Sequence, residues 1–151
     1  MSIYAPNFGF EELTDSANHP ELVPQNRVDA KQYSNNIVCT SWGLQSIRDL
    51  LGRPMATSSG YRNQKLNKAV GGSETSKHQS GKCWDGAAKG MNYKEFFEFI
   101  KTNKSKIPNL KKAIVEGVRG KEWVHLEFED GFKGEIAFYS TTDGKTYDRV
   151  V

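Results

Sequence analysis

Apolar positions between residues 27 and 51 fall at Val28, Tyr33, Ile37, Leu44, Ile47 and Leu51, with the small Thr40 and Ser41 filling the missing turn. Spacing of three to four residues predicts one long amphipathic helix from Arg27 to Leu51. Gly52 and Pro54 then supply a stop, a C′ glycine followed by a residue that cannot continue a helix. Shorter helical signals lie at Phe10 to Ser16, in RNQKLNKAVGG (62–72) up to the Gly71-Gly72 break, and in YKEFFEFIKTN (93–103). In the last of these Tyr93, Phe96, Phe97 and Ile100 form a core stripe, and Asn92 is a fitting N-cap.

Strand-like signals dominate the last third. KCWDGAA (82–88) is a β-prone run, and AIVEGV, EWVHLEF, GEIAFYS and KTYDRVV follow, separated by Arg119-Gly120, Asp130-Gly131 and Asp143-Gly144. Such dipeptides suit tight hairpin turns, so the expectation is an antiparallel meander. Helices first and strands afterwards make the fold class α+β, with helices packed on an antiparallel β-sheet. In EWVHLEF, strict alternation puts Val124, Leu126 and Phe128 on the core face and Trp123, His125 and Glu127 on the other.

Length sets the scale: 151 residues predict one domain over 1–151, with an N-terminal arm (1–25) and a C-terminal hairpin extension (129–151). Hydrophobic residues at 36% and charged residues at 26%, with mean hydropathy of −0.67, are globular values and predict no membrane insertion. The N-terminal MSIYAPNFGFEEL has no basic and apolar leader pattern, so the expectation is cytoplasmic synthesis without a signal peptide. Cys39 and Cys83 fall on different elements and offer no disulfide framework; Cys39 reads as a small buried apolar residue. Net charge is only +3, and the lysine run KTNKSKIPNLKK (101–112) lacks aromatic interleaving, so nucleic acid is not an expected partner.

Candidate chemistry gathers around SETSKHQSGKCWD (73–85), too polar for ordinary core and holding His78 and Asp85 seven positions apart. A hydrolytic zinc site needs three protein ligands, commonly imidazoles and a carboxylate. The chain has three histidines; His19 sits in a Pro-rich arm, whereas His125 looks out of a strand, which makes His78, Asp85 and His125 the expected ligands of Zn2+. Hydrolysis also needs a carboxylate for proton transfer. Glu122 is the first choice if the chain curls at Arg119-Gly120, and Glu127, on the His125 face, is the alternative. Arg62 and Ser76 are the nearby groups suited to holding a carbonyl, carboxylate or developing oxyanion.

TSSGYRNQKLNKAVGGSETSKHQSGKCWD (57–85) resembles the S-G-Y-R, L-N-x-x-V-G-G-S and S-x-H-x-x-G-x-x-x-D blocks of zinc D-Ala-D-Ala carboxypeptidases and dipeptidases and of phage L-alanyl-D-glutamate endopeptidases. EWVH resembles the E-x-x-H block that closes the same site, while FEELTDSANHPEL and LQSIRDLLGRP resemble the N-terminal part of the phage branch. The resemblance implies the small α+β fold shared with the hedgehog signalling domain. Zinc on His78, Asp85 and His125 is implied with it, along with Glu122 as base and Arg62 and Ser76 on the substrate. The implied partner is a peptidoglycan stem peptide, and the expected enzyme is a monomeric metallopeptidase of the endolysin type, acting at the cell wall after release. Rival readings are a catalytically silent, zinc-stabilised wall-binding module and a virion-associated protein. Cys83, Trp84 and the tail from Glu129 to Val151 depart from the family pattern.

Overall fold

The computed structural model describes residues 3–151. Helices α1 (Phe10–Leu13), α2 (Val23–Ala30) and α3 (Ser34–Leu51) lead into strand β1 (Met55–Ser59), followed by α4 (Gln64–Ala69), β2 (Cys83–Ala88) and α5 (Tyr93–Thr102). Strands β3 (Leu110–Val118), β4 (Lys121–Phe128), β5 (Ala137–Thr141) and β6 (Asp148–Arg149) complete one six-stranded sheet, ordered β1-β2-β4-β3-β5-β6. The architecture is α+β, and the sheet is antiparallel except for the β3–β5 pair.

That parallel pair corrects the expected meander. β4 is already flanked by β2 and β3, so the chain leaving β4 crosses over and joins the open edge of β3. Only Arg119-Gly120 between β3 and β4 makes a tight hairpin, with φ of 52° and 77° at its two residues. The expected helix from Arg27 to Leu51 is two helices, joined by a 3₁₀ turn over Lys31–Tyr33. α2 buries Val23, Asn26 and Ala30, leaving Val28 57% exposed and outside the core stripe. The N-terminal helix ends at Leu13, where the Thr14 hydroxyl turns back to donate to Phe10 O (2.7 Å).

Register assigns the two faces of the sheet. Trp84, Leu126, Ala113 and Phe138 align across β2, β4, β3 and β5, all buried on the face covered by α3 and α5. α5 starts at Asn92, whose side chain accepts from Glu95 N–H, and sinks Phe96, Phe97 and Ile100 into this core. The Trp84 ring meets Phe96 edge-on at 6.3 Å, and its indole N–H donates to Thr57 Oγ1 (2.8 Å), so the bulk of Trp84 serves packing. Cys39 is half-buried rather than fully enclosed. Among the described residues no helix is long and apolar enough to cross a membrane.

The opposite face of the same strands carries Cys83, Asp85, His125, Glu127, Ile114 and Glu116. They lie side by side because Asp85 pairs with His125, Cys83 with Glu127 and Ile114 with His125.

Candidate functional site

The polar face is the floor of a cleft of about 980 Å³ that His78, Asp85, His125, Glu116 and Arg62 all line. His78 reaches it from a 3₁₀ turn, Lys77–Ser80, rather than from the sheet. Ser76 caps that turn by accepting from His78 N–H (3.1 Å), and Gly81 ends it at φ 75°. Asn36 and Thr40 of α3 donate to Ser80 O (2.9 Å) and Gly81 O (2.8 Å), so the core helix holds the turn against the sheet.

His78 is 2% exposed. Its Nδ1 lies 2.7 Å from Gly60 O, an acceptor only, so Nδ1 carries the proton and the Nε2 lone pair is free. Nε2 sits 3.2 Å from Asp85 Oδ2 yet makes no hydrogen bond, an orphaned acceptor in a buried place. The other oxygen, Oδ1, lies 2.7 Å from His125 Nδ1. Two ring nitrogens thus flank the two oxygens of one carboxylate, and the rings stand edge to face at 5.3 Å. His125 Nε2 faces Glu127 Oε2 at 3.3 Å, and Lys112 Nζ lies 3.5 Å from the same oxygen. Glu127 therefore orients His125 in the manner of a carboxylate that steadies a metal-binding imidazole.

Electrostatics favour negative charge on Asp85 and a neutral His78, whereas His125 is drawn toward its protonated form. Burial works against charge on Asp85, yet the two imidazoles hold its carboxyl far below the ordinary range. Burial lowers the His78 pKa, which favours the neutral, ligating form. For His125 burial is outweighed by Asp85, and its pKa is raised well above the ordinary value. Burial also opposes ionisation of Glu127, but His125 and Lys112 bring its pKa to about 2. The Cys83 thiol, fully buried within 4.8 Å of ligand atoms of His78 and His125, is pushed up by burial and stays a thiol.

Arg62 bridges to the site from the segment after β1. Its backbone N–H donates to His78 O (3.0 Å), and its guanidinium reaches Ser59 Oγ (3.4 Å) and Ser76 Oγ (3.3 Å). Arg62 Nε is buried without a partner. Ser76 is thus engaged with both Arg62 and the His78 turn.

Glu122 stands elsewhere. β4 runs without a bulge, Glu122 pairs with Gly117, and its exposed side chain borders a shallow pocket near Ala56 and Gly86, outside the cleft. The curl that would bring it over the ligands is absent because the two-residue Arg119-Gly120 turn lets regular pairing begin at Val118 and Lys121. Glu116, which sequence reasoning missed, occupies the cleft instead. It is 9% exposed, its Oε2 accepts from the Trp123 indole N–H (2.6 Å), and its carboxylate approaches Asp85 and His125 within 4.8 Å. Burial raises its pKa. The available signal was alternation in AIVEGV, which puts Glu116 on the face of Ile114; tying that face to His125 required the β3–β4 register.

A family model described as Peptidase M15 matches residues 8–127. The chain belongs to the peptidase M15 family. No curated protein matches it. M15 peptidases are zinc-dependent, and the donors present suit that metal: the free Nε2 of His78, its tautomer fixed by Gly60 O, belongs to a candidate His78, Cys83 and His125 metal group that lies beside the Asp85 carboxylate. The match ends before β5 and β6, so the last part of this M15 peptidase's cleft lies beyond the family block.

Proposed function

We propose that this chain is a zinc metallopeptidase that hydrolyses peptidoglycan stem peptides, as a D-Ala-D-Ala carboxypeptidase or an L-Ala-D-Glu endopeptidase. We place it among phage-type lysins that reach the wall after release from the cell that makes them. The observation carrying this reading is the convergence of His78 Nε2 and His125 Nδ1 on the two oxygens of Asp85, on the floor of a cleft with room for a peptide.

His78, Asp85 and His125 would hold the metal. Zinc, when bound, supplies Lewis acidity that polarises a scissile carbonyl and lowers the pKa of water. The remaining work falls to the chain. Glu116 accepts a proton from the attacking water and returns it to the leaving amine; the Trp123 indole holds Oε2, leaving Oε1 for the transfer. Glu127 keeps the His125 ring in place. Arg62 donates to the substrate carbonyl or carboxylate, and Ser76 holds both that guanidinium and the His78 turn. Burial lowers the Arg62 pKa, though Asp85 and Glu116 counter this and an arginine remains cationic. Lys77, Lys112, Arg119 and Lys121 on the walls suit an acidic stem peptide.

Mass spectrometry of purified peptidoglycan digested with the protein, with and without a chelator, tests the proposal. New termini within the stem peptide that vanish on chelation are the expected result. Intact peptides in both arms would sink the peptidase reading and favour a silent binding module.

A further inference from the structure

β5, β6 and their connection lie beyond residue 127, where the family match ends, yet they supply a wall of the cleft through Tyr139, Asp143, Gly144 and Tyr147. Tyr139 pairs in parallel with Ile114, next to His125 in the sheet, so its ring stands on the site face. Lys112 Nζ lies 5.9 Å from the centre of that ring and the Arg149 guanidinium 5.5 Å, which ties Tyr139 into the wall. Tyr147 is different, with 45% of its surface exposed.

Hydrogen bonds within the segment hold this aromatic in place. The Asp143 carboxylate accepts from Lys145 N–H (2.8 Å), Thr146 N–H (2.7 Å) and the Thr141 hydroxyl (3.2 Å). Gly144, at φ 71°, donates to Thr141 Oγ1 (3.0 Å), and the Tyr147 hydroxyl donates to Gly144 O (3.1 Å). The phenol's one donor is thereby used within its own loop, which leaves the ring and an acceptor oxygen to offer the cleft. The 70–77 segment of the lining is mostly small and polar, Gly71, Gly72, Ser73 and Thr75, with Val70 its one exposed aliphatic side chain. On the β5–β6 side the apolar surface offered to the cleft is aromatic, Tyr139 and the more exposed Tyr147.

We propose that Tyr147 is a substrate-selecting residue whose ring packs on the aliphatic part of the bound stem peptide, making the β5–β6 connection a specificity wall that this chain adds to the shared family core. The inference rests on the peptidase reading. Because the loop's own hydrogen bonds hold the ring, little conformational entropy is lost when it is covered, which favours a contribution to binding.

The test uses the muropeptide found to be cleaved by the wild-type protein, with zinc content measured in every variant. Tyr147→Ala is expected to raise KM about five- to tenfold with kcat little changed, while Tyr147→Phe, which keeps the ring and loses only the bond to Gly144 O, stays closer to the wild-type KM than to that of the alanine variant. An unchanged KM in Tyr147→Ala, a fall in kcat alone, or a Tyr147→Phe variant as impaired as the alanine would overturn the proposal and leave the peptidase reading standing. Absence of any chelator-sensitive cleavage by the wild type would instead remove the peptidase reading and this inference with it.

Discussion

Three carboxylates compete for roles around His125, and their partners separate them. Asp85 faces both imidazoles, Glu127 is taken by His125 Nε2 and Lys112, and Glu116 keeps one oxygen free in the cleft. Glu116→Gln is therefore expected to lower kcat by about 10²–10⁴-fold while retaining zinc, whereas Glu122→Gln should match the wild type. Peptidoglycan turnover and elemental analysis of the two variants check this, and the reverse pattern would return the proton-transfer role to Glu122. Glu127→Gln should weaken zinc binding by about 10–100-fold, because a neutral amide holds the His125 ring less firmly; competition with a coloured chelator measures it. The expectation that His78, Asp85 and His125 share a site drew on a loop spacing, a strand alternation and the resemblance of the flanking blocks together, and the three side chains do lie within hydrogen-bonding distance of one another through Asp85. Glu116 was not legible in the sequence, since its value depends on which residue of β4 lies opposite it.

At the level of elements, the His78 turn depends on a left-handed residue. A Cβ on Gly81 would both strain φ 75° and come within 2.5 Å of Ile37 Cγ1. Gly81→Ala is expected to cost about 1–2 kcal/mol and a few °C in Tm, with weaker zinc binding because the turn shifts. Unaltered calorimetry and metal affinity would refute that coupling. The β5–β6 connection makes a pH prediction. Asp143 is held at about 2, below its ordinary 3.8, by the Thr146 and Lys145 amides. A depressed carboxylate contributes its stabilisation fully above the ordinary value and loses it as pH falls through the folded one. The amide resonances of Lys145 and Thr146 should thus titrate with a midpoint near 2 in an NMR series; a midpoint near 4 would mean the carboxylate is not engaged.

Element identity was largely readable from local pattern: the Asn92 cap, the Gly52 stop and the Arg119-Gly120 turn are all local chemistry. Element partnership was not. Asp130-Gly131 reads as a hairpin, but β2 already occupies the neighbouring edge of β4, a fact of tertiary packing that no dipeptide encodes. Likewise the break at Lys31–Tyr33 carries neither Gly nor Pro, and the helical spacing runs through it without a signal.

For the molecule as a whole, the metal and the fold should be thermodynamically linked. The ligands come from a turn clamped by α3 and from two adjacent strands, so a bound ion ties the helical layer to the sheet. At a free zinc concentration about 100 times Kd, binding to the folded state alone adds about 2.7 kcal/mol of stability. Scanning calorimetry should show Tm rising with zinc and falling with chelator, and a Tm indifferent to both would contradict the ligand set.

The parallel pairing of β5 with β3 also bears on solubility. A chain cut after residue 127 would keep every proposed zinc ligand but lay bare residues 112–116 of β3, including Ala113 and Val115, as an unpaired margin open to strands from neighbouring copies. Such a fragment is expected to self-associate in light-scattering measurements, so the final two strands act as a built-in guard against aggregation.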